Sequence, residues 1–325
     1  MKVLVCGGAG YIGSHMVRFL VGHGHEVVVF DNLSTGHREA VGAVPLLEGD
    51  LLDPPALEAV LASQPFDAVM HFCALSLVGE SLVEPYRYYR NNVVGTLNLL
   101  QAMRAANVDK LVFSSTAAVF GSPQTELIDE AHPTAPINPY GASKLIVERI
   151  LVDAARAYGL RSVALRYFNA AGADPSGEIG EAHAPESHLI PNVLRAALGQ
   201  GDGTLQVFGD DYATRDGTCV RDYVHVNDLA MAHLKSVGFM ADHEGAHVFN
   251  LGNGQGFTVL EVIAAARAVT GVEIDFVRAP RRSGDPAVLV ASSARAGNVL
   301  GWTPAFNDIG DIIESAWRWH RQPRF

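Results

Sequence analysis

The stretch Gly7-Gly8-Ala9-Gly10-Tyr11-Ile12-Gly13 constrains this chain more than any other, because it follows the apolar run Lys2-Val3-Leu4-Val5-Cys6 and leads into Ser14-His15-Met16-Val17-Arg18-Phe19-Leu20. The order spells strand, glycine turn, helix. Such a turn bends the backbone sharply and offers amide N–H groups to a pyrophosphate with no Cβ in the way, while the helix N-terminus adds a favourable dipole. Gly7, Gly10 and Gly13 each have a separate task in this G-x-x-G-x-x-G pattern, the last being close packing of the helix against the sheet. Glycines alone are weak evidence, since many strand-to-helix turns need one or two. The next apolar run, Glu26-Val27-Val28-Val29-Phe30, ends at Asp31, where a carboxylate can accept hydrogen bonds from adenosine ribose hydroxyls. Asn32 and Leu33 follow, and the nearest arginine is Arg38. No cation stands beside Asp31 to hold a 2′-phosphate, so NAD is favoured over NADP.

Downstream the alternation continues. Residues 44–50 read as a short strand ending at Asp50, which either meets an adenine amino group or caps the helix expected over 56–63. Strands at 67–72, 110–114 and 162–168 alternate with helices from Pro85 through 107 and from Pro139 to Tyr158. That order predicts a doubly wound parallel α/β sheet with ligands at the carboxyl ends of its strands. Polar residues cluster at those ends: Asp31, Asp50, 73–76, Ser114-Ser115-Thr116 and Asn169. The pattern loosens over 170–187, rich in Gly, Pro and acidic residues. A division into a cofactor domain (1–169) and a smaller α/β substrate domain (170–325) is expected. The second would hold strands at 207–208, 248–251 and 274–276 and helices over 258–269 and 308–320, with 224–240 packing back on the first.

The chain has 325 residues, 48% hydrophobic and 18% charged, with a net charge of −11 and no basic run, which argues against nucleic acid or an anionic membrane as partner. No stretch of about 18 apolar residues occurs, so no membrane span is expected. Cys6, Cys73 and Cys219 form no disulfide framework, as expected of a cytoplasmic protein. Thirteen histidines include no H-E-x-x-H and no His/Cys cluster with ligand spacing, so no metal is expected. Tyr86, Tyr88 and Tyr89 read as packing or surface residues.

Tyr140 and Lys144 stand four apart, which puts both on one helix face. A tyrosine, with a pKa of about 10, becomes a base only if its phenolate is stabilised, and a neighbouring ammonium and a positive nicotinamide ring would both do so. With Gly7–Gly13, 31–33, 72–81, 88–93, 114–121, 139–144, 166–172, 220–228, 250–252 and 280–286, the chain resembles the extended short-chain dehydrogenase/reductase family. Within it, the likeness is to the enzymes that epimerise UDP-glucose and UDP-galactose at C4. The resemblance covers nearly the whole chain and implies a Rossmann-type fold and a retained NAD.

It also implies roles. Tyr140 would remove the proton of the sugar 4-hydroxyl as hydride leaves C4, Thr116 would hydrogen-bond the same oxygen, and Lys144 would hold the nicotinamide ribose. The 4-keto sugar would then swing about the pyrophosphate and take the hydride back on its other face. Further cofactor contacts would be Tyr11, Ile12, Asp31, Asn32, Thr35, Asp50, Leu51, Phe72, Cys73, Ala74, Asn91 and Phe168. The UDP-sugar would be gripped by Asn169, the backbone of His188 and Leu189, Gln206, Val207, Phe208, Arg221, Arg282 and Asp285. Arginine forks suit a pyrophosphate. Helices at 85–106 and 140–157 would form a homodimer. Ser76 replaces a lysine found in some members, and Leu289 aligns with a tyrosine that walls the sugar pocket in others, which would leave room for N-acetyl groups. Three alternatives stay open. A 4,6-dehydratase would need an Asp-Glu pair where Ala117 and Ala118 stand. A UDP-glucuronate epimerase would need an extra cation. A non-catalytic NAD-binding regulator would not need Tyr140, Lys144 and Thr116 intact.

Overall fold

The computed structural model describes residues 1–200, 204–282 and 285–325. Seven parallel strands form the main sheet: β1 (Lys2–Cys6), β2 (Glu26–Asp31), β3 (Leu46–Glu48), β4 (Ala68–His71), β5 (Lys110–Thr116), β6 (Arg161–Tyr167) and β7 (Ala246–Leu251). Their spatial order is 7-6-5-4-1-2-3. The winding reverses between β1 and β4, and the carboxyl ends of those two strands flank the crevice where such sheets bind ligands.

The strands read as unbroken apolar runs because both sheet faces are covered. One face packs against the helices Tyr11–Gly22 and Val226–Asp242 through Met16, Leu20, Leu229 and Met240. The other packs against Pro54–Ala62, Gly95–Ala105 and Pro139–Tyr158 through Leu57, Leu99, Met103, Val147 and Leu151. The 226–242 helix thus packs on the main sheet. A smaller core, with Ile190, Val193, Val207, Val262, Ile263, Ile312 and Ile313, joins Leu189–Ala197, Val259–Thr270 and Ile309–His320 to the paired strands Leu205–Phe208 and Phe276–Ala279.

Three expectations are corrected. Residues 246–251, assigned from sequence to the smaller unit, supply β7 at the edge of the main sheet beside β6. Their composition could not reveal it, because an apolar strand fits either sheet. The helix expected from Pro85 is broken into Pro85–Tyr88, a π-helical turn over Tyr89–Val94, and Gly95–Ala105, and a short helix, Val78–Val83, precedes it. The strand expected at 274–276 begins at Phe276. One more strand crosses between the units: Leu127–Ile128 pairs with Val288–Ala291, in a four-stranded sheet completed by Val220–Arg221 and Phe257–Thr258.

Candidate active site

The glycine turn is held by contacts that no side chain could share. Gly7 has a φ of +82°, and a Cβ there would lie 2.7 Å from the backbone nitrogen of Cys73. A Cβ on Gly13 would fall 2.0 Å from the Gly7 carbonyl oxygen, so this glycine lets the helix close onto the turn itself; Gly8 makes the close approach to the sheet, at Val29. Gly10 caps the helix in extended geometry. Asp31 lies buried at the end of β2, where its carboxylate accepts the N–H groups of Ala9 (2.9 Å) and Leu33 (2.8 Å). It braces the turn as well as facing the crevice end of the strand. Asn32 donates to the Asp50 carboxylate at 2.8 Å, and Asp50 also accepts the Leu52 N–H at 2.8 Å. Thr35 is exposed in the loop after β2, whereas Leu51 is buried beneath Gly95. Ile12 packs against the main core, and Tyr11 donates its hydroxyl to the Gly172 carbonyl at 2.6 Å.

Beyond β4, Phe72, Cys73 and Ala74 run past the turn. Leu75 is then fixed from both sides by Asn92, whose amide accepts the Leu75 N–H (2.9 Å) and donates to its carbonyl (3.0 Å) and to Ser143 Oγ (2.9 Å). Asn91, the residue expected from sequence, hydrogen-bonds the side chain of Asn92 at 3.0 Å. The π-helical turn sets these two asparagines side by side, as such turns often do at functional sites.

The Tyr140 helix has a defined start and stop: Asn138 caps the Gly141 N–H at 2.8 Å, Pro139 takes the first position, and Gly159 ends the helix in left-handed geometry. One turn in, Lys144 is buried and donates to the Ser114 carbonyl on β5 at 2.7 Å; its Nζ lies 6.0 Å from the Tyr140 ring centroid. Thr116, at the end of the same strand, accepts the Ala118 N–H at 3.1 Å. The spacing argument for an activated phenol needs correction for the protein alone. Burial raises the Tyr140 pKa, opposed by a hydrogen bond with Thr116, and burial pushes the Lys144 ammonium down to about 7. Desolvation outweighs the pairing, because the ammonium reaches past the ring to a backbone carbonyl.

Several supports were not singled out from sequence. Glu148, one turn beyond Lys144, pairs with Arg166 (2.5 Å) and accepts the Ser115 hydroxyl (2.6 Å), with both charged side chains 7% exposed. Tyr167 hydrogen-bonds Ser114 Oγ. Asp222, fully buried, accepts the N–H groups of Asn253 (2.7 Å), Gly254 and Ala291 (both 3.0 Å). A carboxylate inside an apolar strand run was its only sequence signal.

Asn169 donates its side-chain N–H to the Asp222 carbonyl at 2.8 Å. Arg221 spends three N–H groups on Asp285 (2.9 Å) and the carbonyls of Val220 and Pro286; among the described residues its two other donors meet no partner. Leu289 faces Arg221 across the paired strands, and both it and Phe168 pack on the small cluster of Ala117, Val119, Phe120 and Ile128. Val207 is buried and Gln206 is exposed on alternate faces of Leu205–Phe208, and the Arg282 guanidinium stacks 4.0 Å over the Phe208 ring. His188 and Leu189 begin the helix Leu189–Ala197. His188 also belongs to a tight group with Glu181, His183 and Glu186.

Sheet order, glycine turn and the tyrosine-lysine pair together define a dinucleotide-dependent protein of the doubly wound class. Residues 3–252 match the NAD dependent epimerase/dehydratase family, and the chain belongs to it. It is 52% identical over 322 residues to a UDP-glucose 4-epimerase of Halalkalibacterium halodurans, covering 99% of this chain and 96% of the relative. A UDP-glucose 4-epimerase structure from Brucella ovis in complex with NAD superposes with a TM-score of 0.94 at 48% identity, covering 97% and 96% of the two chains. Another, from Bifidobacterium longum in complex with NAD+ and UDP, gives 0.94 at 40% identity and 99% of each chain.

Proposed function

We propose that this chain interconverts UDP-galactose and UDP-glucose by inverting C4, with NAD held between the glycine turn and Lys144. The observation that carries the proposal is the grouping of Thr116, Tyr140 and Lys144 at the carboxyl end of β5, on the side of the sheet where the winding reverses. The cradle fits a dinucleotide, since Gly7 and Gly13 tolerate no Cβ and Asp31 closes the far end. NAD, when bound, supplies the oxidant that removes and returns hydride at C4, and a positive charge that favours phenolate. Tyr140 takes and returns the 4-hydroxyl proton, Thr116 steadies that oxygen, and Lys144 orients the cofactor ribose. Arg221 and Arg282 grip the diphosphate, and Asn169, Phe208 and the His188-Leu189 backbone complete the nucleotide site. A gripped nucleotide with few bonds to the sugar lets the keto sugar turn over.

The test is to incubate purified protein with UDP-galactose, without added NAD, and follow the C4 epimer by NMR. Conversion is expected; its absence with NAD bound rejects the proposal. Leu289, packed on the same small cluster as Phe168, extends the proposal to N-acetylated UDP-sugars, read by the same assay with UDP-N-acetylgalactosamine. Ala117 and Ala118 supply no acid-base pair, which disfavours a dehydratase.

Apolar side chains exposed on the helices of 78–105 and 139–158, among them Val83, Tyr86, Val94, Ile146 and Tyr158, favour a homodimer through these helices. No helix among the described residues is long and apolar enough to cross a membrane, and all three cysteines are free, as suits a reducing cytoplasm.

A further inference from the structure

Between Gly172 and the helix at Leu189 the chain runs for sixteen residues without a helix or strand, longer than connections in compact domains usually are. Four side chains from its last eight residues converge. His183 Nδ1 lies 3.1 Å from a Glu181 oxygen and 3.7 Å from Glu186, and His188 Nδ1 lies 2.8 Å and 2.9 Å from the same two carboxylates. One donor atom from each residue falls within 4.8 Å of all the others. We propose that Glu181, His183, Glu186 and His188 form a binding site for one divalent transition ion of the zinc class, holding this loop in place.

The geometry favours a shared centre over separate pairs. Two independent imidazole-carboxylate pairs would each use their own oxygen, yet one Glu181 oxygen faces both ring nitrogens. Bonds of about 2.0–2.1 Å in a tetrahedral site put neighbouring ligand atoms about 3.3 Å apart. The observed separations of 2.8 to 3.7 Å bracket that edge. Charge agrees as well. The two carboxylates are only 5% and 3% exposed, and a divalent cation neutralises them with both imidazoles uncharged. Two nitrogens and two carboxylate oxygens in this arrangement suit zinc rather than magnesium or calcium, which prefer more oxygens.

The loop is also clamped around the group, as metal sites commonly are. Trp319 donates its indole N–H to the Glu181 carbonyl (2.9 Å), a His37 ring nitrogen meets the Ala182 carbonyl (3.0 Å), and the Tyr11 ring stands edge-on to His183. The first end of the loop receives the Tyr11 hydroxyl at Gly172, and its last residue begins the 189–197 helix. The ion would therefore tie the cofactor turn to the nucleotide-gripping helix. Its role would be structural, with no part in hydride or proton transfer. The spacing E-x-H-x-x-E-x-H gave no sequence signal because it matches no regular helix or strand period.

The experiment uses untagged full-length protein. Elemental analysis by mass spectrometry after purification without added metal should find about one zinc-class ion per chain. Chelator-stripped wild type titrated with Co2+ should develop the visible bands of a tetrahedral ion at one equivalent, and X-ray absorption of the zinc-loaded protein should show four nitrogen or oxygen ligands with the outer-shell scattering of two imidazoles. His183→Gln and Glu186→Gln should weaken Co2+ binding at least about tenfold, and zinc should raise the thermal midpoint of wild type more than that of either variant. A stripped wild type that binds no Co2+ at one equivalent overturns the proposal, leaving imidazolium-carboxylate pairs. Binding unchanged in a folded variant, or a shell of another composition, overturns it too. If a variant does not fold, the wild-type titration and absorption spectrum decide alone.

Discussion

Tyr140→Phe removes one oxygen from a helix face whose other contacts stay in place. It should retain NAD, seen as nucleotide released on denaturation, and lose about 10²–10⁴-fold in turnover by the NMR assay. Unchanged turnover would assign the proton to another group. Gly13→Ala acts differently, because its new methyl must displace the Gly7 carbonyl from 2.0 Å away, and backbone cannot yield as a side chain can. Loss of retained NAD is expected, measured after gel filtration. Residues of this kind were legible because their chemistry admits few substitutes: glycine at a close approach, tyrosine and lysine one turn apart. Asn92 and Asp222 were not, since an amide or carboxylate becomes a brace only through partners that folding delivers, from Leu75 and Ser143 in one case and from residues 253, 254 and 291 in the other.

At the scale of elements, the helix of Tyr140 is joined to β5 and β6 by one buried ion pair. Glu148→Gln leaves the Arg166 guanidinium short of its countercharge between two layers, so a loss of about 3–5 kcal/mol is expected, measured by denaturant unfolding. The double variant Glu148→Gln/Arg166→Met should recover part of that loss, because no unpaired charge remains; equal losses would assign the cost to packing. Lys144 would also lose a nearby negative charge that opposes its depression, so the fall in its pKa should deepen. The main helices and strands were readable from period and caps, with boundaries close to those observed. The interruption over 89–94 was not, because a π-helical turn differs from an α-helix by one extra residue per loop and leaves the apolar pattern nearly intact.

For the molecule as a whole, acid is the condition that most cleanly probes the buried polar groups. His15 Nδ1 meets the Tyr11 carbonyl and its Nε2 accepts the Asp174 N–H, an arrangement that requires a neutral ring, and burial lowers its pKa to about 4. The unfolded chain takes up this proton near pH 6.5 and the folded one only near 4. Between those values the unfolded state binds more protons, so stability is lost as pH falls, by on the order of 3 kcal/mol at pH 4. Thermal midpoints from pH 7 to 4.5 should drop, and His15→Gln should flatten the slope. At neutral pH the paired substitution Val83→Asp/Tyr86→Asp should halve the mass seen by light scattering if these exposed residues join two copies. Fold class was visible in the chain because the first five strands of the main sheet, β1 to β5, announce themselves. Partition was not: nothing in an apolar hexapeptide says which of two sheets it enters.

The threading of 127–128 into one sheet and of 246–251 into the other means the halves are stitched rather than hinged. A fragment stopped near residue 170 would present β6 as a bare, hydrogen-bonding edge and would strip the helix from one side of the sheet, inviting aggregation instead of folding. Grafting a relative's carboxyl half to change sugar preference would likewise exchange a piece of the cofactor's own scaffold. New specificity in this architecture has to come from single side chains along the crevice, not from swapped cassettes.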